Sequence, residues 1–238
     1  METEITTTQN EASEEIVMAD KIERCRFLGK NLDILFKLKI ASIAVAISLV
    51  ILALFTRSIV GGIGSTTSIG FMYLILAVLV ILALGALGIS IAMIVIMFRM
   101  GKYNDDFKYA GIFVLVSSLI QAGGNIAGSD VVKIIASVFS VLYIFKFTKA
   151  MTAALNSVND DIAKGWGNLK NLYVYALIGM GACFILIFIP LMGSLASFVL
   201  FLCAIAFLVA GIWEISLIYE SAKALNSYPD TGTQTVAE

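Results

Sequence analysis

An acidic side chain within a long hydrophobic stretch is the clearest candidate for chemistry in this sequence. Glu214 lies in the segment AGIWEISLIYESAK, five residues before Tyr219, which puts it roughly 7.5 Å deeper along a helix. A charged side chain is costly inside a membrane and is commonly functional there. Either Glu214 faces a helical bundle, where Arg99 or Lys146 neutralises it and it binds a cation or a proton, or it lies at the interface beside Trp213 and reaches water.

Polar side chains also occur in the third hydrophobic stretch of the chain. They are Ser117, Ser118, Gln121 and Asn125, with glycines among and after them at 123, 124 and 128. Such side chains commonly hydrogen-bond a neighbouring helix, which contributes about 0.6–2 kcal/mol each. The alternative is that they line a pore, or a ligand cleft at a helix end interrupted by glycine. Both interpretations stay open at this point.

The residue types that most enzymes use are missing or scattered. The sequence contains no histidine, which excludes imidazole acid–base chemistry and histidine metal ligands. The three cysteines form no CxxC pair, and no P-loop, GxSxG, dinucleotide or HExxH motif is present. We therefore expect a protein without catalytic activity, and without a cofactor or a metal ion.

Composition defines the class of protein. Of the 238 residues, 60% are hydrophobic and only 14% are charged, whereas soluble domains average about 45–50% and about 25%. So large an apolar excess does not fit inside one soluble core. The net charge of −1 argues against a nucleic acid partner. The lipid bilayer is the expected environment.

A helix needs about 20 apolar residues to cross ~30 Å of hydrocarbon, and six stretches of the chain meet or approach this length. They cover residues 38–55, 71–98, 109–125, 131–148, 172–190 and 195–219, and the third is the least apolar. Their continuous apolar runs lack the two-residue alternation of barrel strands. The sequence therefore predicts an all-α, polytopic bundle of about six spans over residues 38–219.

The positions of lysine and arginine predict which side each loop faces. All of them except Arg57 and Lys133 fall in the N-terminal segment, in the loops after the second and fourth spans, after the sixth, or, for Lys39 and Lys146, at the span ends next to these segments. Because positively charged loops stay in the cytoplasm, we expect both termini there, in a plasma membrane protein. The outer loops would cover about 56–70, 123–130 and 191–194.

Three segments outside the spans have their own patterns. Residues 1–13 are polar and acidic, which is typical of a disordered tail, and residues 220–238 form a second cytoplasmic tail. Residues 14–37 have the spacing of an amphipathic helix, which lies either on the inner leaflet or against the protein's own loops. The fourth span is expected to continue as a helix to about Gly165-Trp166-Gly167, with Trp166 in the headgroup region.

Short identities recur along the chain. Ala-Leu-Asn-Ser follows the fourth span at 154–157 and the sixth at 224–227, and Asn-Asp-Asp occurs at 104–106 and 159–161. They indicate either three related hairpins in parallel orientation or chance similarity between apolar segments. Parallel repeats occur in some transporters, and they equally suit a duplicated scaffold.

Taken together, these patterns predict a non-catalytic membrane scaffold or accessory subunit that acts by helix packing and by cytoplasmic contacts. Its partner would be a membrane protein or a cytoplasmic protein, and the sequence does not indicate an oligomeric state. The alternative is a small transporter or channel, with the third span and Glu214 along its path. The lack of further acidic residues at mid-membrane weighs against ion-coupled transport.

Overall fold

A computed structural model shows six α-helices and describes residues 2–62, 69–128, 130–186, 189 and 193–228. Side chains are described from 16 to 56 and from 73 onward, apart from those of residues 125–127, 130, 133, 184 and 193. The helices are α1 (Glu2–Gly62), α2 (Ile69–Met100), α3 (Asp105–Ala127), α4 (Asp130–Leu155), α5 (Asp160–Leu186) and α6 (Gly193–Asn226). The described part of the chain contains no strand, as expected for an all-α protein.

Five of these helices contain a segment long and apolar enough to cross a membrane. The segments are Ile16–Thr56, Tyr73–Met100, Asp105–Gly124, Ile134–Leu155 and Ser194–Asn226. The chain is therefore a multi-pass membrane protein. The third predicted span meets the requirement, whereas α5 does not within its described residues. The predicted fifth span, 172–190, runs on into 187, 188 and 190, which lie outside the described residues.

The helices form a closed ring. Each helix packs against its neighbours in the chain, and α1 also packs against α6. We call the end at which α2, α4 and α6 finish and α3 and α5 begin the basic end, and the opposite one the far end. The ring is held together chiefly at the basic end, because most of the buried side chains lie there.

All six helices contribute to one hydrophobic core at the basic end. Phe147 lies at its centre, with its ring 5.9 Å from that of Phe107 and 5.5 Å from that of Trp166, both in edge-to-face geometry. Trp166 is fully buried, and its indole N–H donates to Ser221 Oγ at 2.9 Å. Other fully buried core residues are Leu32, Leu35, Met100, Met151, Leu155, Leu169, Ile218 and Leu225.

The connection between α4 and α5 differs from the sequence prediction. Helix α4 ends at Leu155, where the N–H of Asn159 donates to the Leu155 carbonyl at 2.8 Å, and α5 begins at Asp160. The prediction that α4 continues to Gly165-Trp166-Gly167 is wrong, and Trp166 is buried in the core rather than exposed to lipid. The Asn159 side chain accepts from the Ile162 N–H at 3.1 Å, so a capping residue starts a new helix there.

Helix α1 is continuous from Glu2 to Gly62, without a break between the predicted amphipathic segment 14–37 and the first span. The apolar face of that segment is buried against the other helices, at Cys25, Leu28, Leu32 and Leu35. This favours packing on the protein itself over a position on the lipid surface. The helix also includes the stretch 1–13 from Glu2 onward, which differs from the predicted disorder, since extending a helix is easier than nucleating one.

Two details fix how the helices meet. A Cβ on Gly29 would lie 2.5 Å from Asn226 Oδ1, so only glycine lets α1 approach the end of α6 this closely. At the far end Gly128 has φ +64 and its N–H donates to the Gly124 carbonyl, which ends α3. The loop predicted over 123–130 is therefore much shorter. The other predicted outer loops fall partly on residues 63–68 and 191–192, and most of the C-terminal tail on 229–238, all outside the described residues.

Candidate functional site

Four helices converge on the carboxylate of Glu214. The residue lies on α6, 12 positions before that helix ends at Asn226, and only 8% of its surface is exposed. Lys39 reaches it from α1, Tyr143 from α4 and Tyr173 from α5. Since α4 lies beyond α5 in the ring, a contact from Tyr143 means that Glu214 points into the bundle. The interfacial interpretation of Glu214 is therefore wrong for this structure.

The two carboxylate oxygens have different partners. Lys39 Nζ donates to Oε1 at 2.5 Å, and the hydroxyl of Tyr143 donates to the same oxygen at 3.4 Å. Tyr173 donates to Oε2 at 3.3 Å. The side chains of Lys39 and Glu214 are 19% and 10% exposed, so this is a largely buried ion pair. Such a pair is tolerated when hydrogen bonds satisfy the remaining lone pairs, as they do here.

The predicted charge partners, Arg99 and Lys146, are not the ones that the structure shows. Lys146 donates to Asp106 at 2.8 Å instead, and Arg99 is exposed at the end of α2. The physical reason is depth along the bundle. Arg99 and Lys146 lie where helices leave the apolar layer, whereas Lys39 lies on α1 beside the turn of α6 that carries Glu214.

Lys39, Tyr143 and Tyr173 are site residues that sequence reasoning missed. Lys39 begins an uninterrupted apolar run and is, like Glu214, a charged residue within the bounds of a predicted span. The sequence therefore did contain a signal for this contact: one acidic and one basic residue within different predicted spans can neutralise each other. The tyrosines had no such signal, because aromatic residues at membrane interfaces are common.

The polar residues of the third span do not join Glu214. Ser117 is buried and donates to the Ala136 carbonyl at 2.9 Å, with Ser140 Oγ 2.8 Å away, so it links α3 to α4. Ser118 and Gln121 are exposed on the outside of the bundle. Asn125 lies in the last turn of α3, and its side chain lies outside the described residues. Helix packing is thus the role that the structure supports for Ser117.

A groove of about 410 Å³ opens beside the ion pair. Lys39, Ser42 and Glu214 line its polar end, and its other lining residues are Ile43, Met93, Leu208, Gly211, Ile212 and Ile215. The groove is bordered by α1, α2 and α6. It gives Lys39 and Glu214 their residual exposure, on the side of the ring where α1 meets α6.

The site is an internally neutralised carboxylate between two phenols, and it lacks a nucleophile and base in contact. Among the described residues, no group of three or more Cys, Asp or Glu side chains could hold a metal ion. In the same residues, every buried side-chain nitrogen or oxygen has a hydrogen-bond partner. No family model, curated protein or solved structure matches the chain, so its own geometry is what indicates its function.

Proposed function

We propose that this protein is a non-catalytic membrane scaffold or accessory subunit. It would cross the plasma membrane six times, counting α5, with its basic end and both termini in the cytoplasm. Its partner would be a membrane or cytoplasmic protein. The basic end would be the working surface, because both termini would lie there together with the longest stretch between predicted spans, residues 149–171.

The single observation that carries this proposal is the packing of the basic end. Residues from all six helices fill it, including fully buried Leu32, Met100, Phe107, Trp166 and Ile218. A core of this kind holds the helix ends in fixed relative positions. Among the described residues, these side chains also fill the interior of the ring at the basic end, where a solute path would have to run. Both properties suit a scaffold better than a channel.

The state of Glu214 supports the same proposal. Its charge is balanced by Lys39, and both of its oxygens accept hydrogen bonds from tyrosine. A coupling site needs a carboxylate that exchanges a proton or an ion during transport. Here the carboxylate instead ties α1, α4, α5 and α6 together.

Helix α1 extends beyond the core at the basic end and exposes apolar side chains there. Ile16, Val17 and Met18 are 71%, 69% and 54% exposed. Apolar side chains grouped at a surface are typical of interaction sites. A protein partner would bind this extension of α1, where it would cover these three residues.

A transporter remains a second candidate because of one observation, the groove that reaches Lys39 and Glu214. An amphiphilic solute entering from the side would meet the ion pair there. This function would require Lys39 and Glu214 to separate during the cycle. The residues Gln121, Ser117 and Ser118 would have no part in it, since they lie away from the groove.

A paired experiment separates the two functions. Wild-type protein and Glu214→Gln would be reconstituted into vesicles and assayed for H⁺, Na⁺ and K⁺ flux, and both would be isolated from native membranes with their bound proteins. A scaffold gives no flux above empty vesicles, and Glu214→Gln retains its partner. Flux in the wild type that Glu214→Gln abolishes, with helical content unchanged, would overturn the scaffold proposal.

The partner surface is tested with two matched substitutions on α1. Ile16→Glu puts a charge on the exposed extension, whereas Ile34→Glu puts the same charge at a position 44% exposed on the same helix. We expect Ile16→Glu to lose the co-isolated partner and Ile34→Glu to keep it. Equal retention by both variants would contradict binding at the extension.

We also propose that the bundle consists of three parallel hairpins, α1–α2, α3–α4 and α5–α6. Two features that recur between hairpins support it. Asn104 and Asn159 accept backbone N–H bonds at the starts of α3 and α5, and the fully buried Leu155 and Leu225 lie in the last turns of α4 and α6.

Sidedness is tested with an impermeant thiol reagent on Lys102→Cys at the basic end and Ser194→Cys at the far end. Labelling of Lys102→Cys from outside intact cells would show that the basic end faces outward, and would contradict the proposed orientation.

A further inference from the structure

A second cleft, of about 480 Å³, lies between α4 and α5 at the basic end and takes no part in the Glu214 site. Lys149 and Lys170 line it, together with the polar side chains of Thr152 and Asn156. No acidic residue lines it among the described residues. Phe145 forms its apolar wall on the membrane side, and Gly167 and Ala153 complete it.

The electrostatic surroundings of the cleft are positive. Lys149 Nζ lies 3.0 Å from Asp106 Oδ2, but that carboxylate already accepts from Lys146 at 2.8 Å. One negative charge thus faces two lysines, and Lys149 remains 68% exposed. Lys170 is exposed as well, and no described residue pairs with it. Counted over Lys146, Lys149, Lys170 and Asp106, two positive charges are in excess beside this cleft.

The predicted spans put the cleft at the level of the lipid headgroups. Lys149 directly follows the predicted span 131–148, and Lys170 precedes the predicted span 172–190 by two residues. Phe145 is within the first of these spans, so the cleft has an apolar side toward the hydrocarbon and a cationic side toward water. Basic pockets between membrane helices at this level are suited to anionic headgroups.

We propose that this cleft binds the phosphate of an anionic phospholipid from the leaflet at the basic end. Lys149 and Lys170 would flank the phosphate, and the exposed amide of Asn156 would donate to it. The hydroxyl of Thr152 would not donate, because its hydrogen already goes to the Thr148 carbonyl at 2.9 Å. An acyl chain would lie against Phe145.

A third cleft serves as an internal control. It has a similar volume, about 500 Å³, and lies near the end of α6. Lys223 lines it, but so does Asp33, whose carboxylate pairs with Lys37 at 2.7 Å. A carboxylate in the lining repels a phosphate, and this cleft has one lysine where the other has two. It should therefore select anionic lipid much less strongly, although it too lies at the basic end.

The test is a titration of purified protein in detergent with fluorescent phosphatidylglycerol, and with a phosphatidylcholine analogue for comparison. Since one lysine near an anionic membrane surface is worth about fivefold in affinity, Lys149→Met/Lys170→Met should weaken phosphatidylglycerol binding by roughly 30-fold. Lys223→Met should change it less than twofold. Equal loss in both variants would mean a general charge effect and would overturn the proposal.

A steric variant tests the cleft without removing charge. A Cβ on Gly167 would have no atom within 4 Å, so Gly167→Leu fits the helix and fills the cleft while both lysines remain. It should weaken phosphatidylglycerol binding at least tenfold. Gly85→Leu, on α2 with the same free space, is the matched control and should bind as the wild type does. Unchanged binding by Gly167→Leu would contradict a site in the cleft.

The source of the phosphate is tested by competition. Inorganic phosphate or glycerol phosphate at millimolar concentration should not displace the fluorescent lipid, because neither supplies the acyl chain that lies against Phe145. Displacement by either would show a soluble phosphate site and overturn the lipid proposal. Equal binding of phosphatidylcholine would do the same. None of these outcomes depends on whether the protein is a scaffold, so the two proposals fail separately.

Discussion

Two stretches of helix α1 differ sharply in the burial of their side chains. Near the basic end its side chains enter the core, where Leu32 and Leu35 are fully buried. Toward the far end they face outward, with Val50 and Leu54 59% and 60% exposed. In the most apolar 18-residue segment of α1 no residue is buried, whereas 28% of the residues are buried in the most apolar 18-residue segment of α3 and in that of α4.

This difference separates two uses of apolar residues. At the basic end they bury one another, and their volumes and shapes decide how the helices fit. Toward the far end of α1 they meet lipid, which is as apolar as leucine, so burying them gains little. Hydrophobicity is therefore highest where packing matters least. The order of the ring is set by the basic end.

The largest effect is expected from truncating a core leucine. Leu32→Ala leaves a cavity among fully buried neighbours and should lower the free energy of unfolding by about 3–5 kcal/mol. Leu54→Ala, on the same helix with its side chain 60% exposed, should lower it by less than about 1 kcal/mol. Unfolding in mixed micelles of increasing SDS content, followed by circular dichroism, measures both. Equal losses would mean that the far end of α1 is packed against protein.

The ion pair between Lys39 and Glu214 tests the boundary between the two regions. Lys39→Met leaves the carboxylate without its cation and should cost about 2–3 kcal/mol, below the ~3–5 kcal/mol of a fully buried pair because Lys39 is 19% exposed. Glu214→Gln alone should cost less, since the lysine can reach water through the groove.

The double variant Lys39→Met/Glu214→Gln decides what the pair does. Without either charge, the helices should recover to within about 1 kcal/mol of the wild type, because the two tyrosines can still donate to the glutamine oxygen. The same micelle unfolding assay applies to all three variants. Strictly additive losses would argue that Lys39 and Glu214 act independently, in conflict with their contact.

The sequence was sufficient for the class of fold and for most spans, because both depend on composition along the chain. Long apolar runs between charged segments predicted the helices. Asn104, which lies in the predicted loop between the second and third spans, caps the start of α3. The break at Asn159 was missed, since the apolar spacing from Phe147 to Ile162 continues as though one helix covered it. Capping by Asn159 outweighs that periodicity.

Of the residues at the site, only Glu214 could be predicted from the sequence. Glu214 could be identified from one helix, because an acid in an apolar run is unusual. Its partners lie 175, 71 and 41 residues away along the chain, and which of them it meets depends on the order of helices in the ring. That order follows from side-chain fit in the core, a property that hydropathy does not contain.

The smallest effect is expected in the hairpin α3–α4. A side-chain hydrogen bond joins its two helices at Ser117, whereas the most apolar stretch of α1 buries no side chain. Ser117 donates to Ala136 on α4, whereas its neighbour Ser118 is exposed. Ser117→Ala should lower stability by about 0.6–2 kcal/mol, and Ser118→Ala should be neutral within about 0.5 kcal/mol. The same unfolding assay, run on both variants side by side, resolves this difference. If the two substitutions were equivalent, the contact between α3 and α4 would owe nothing to the serine, and small residues such as Ala136, only 2% exposed, would account for it alone.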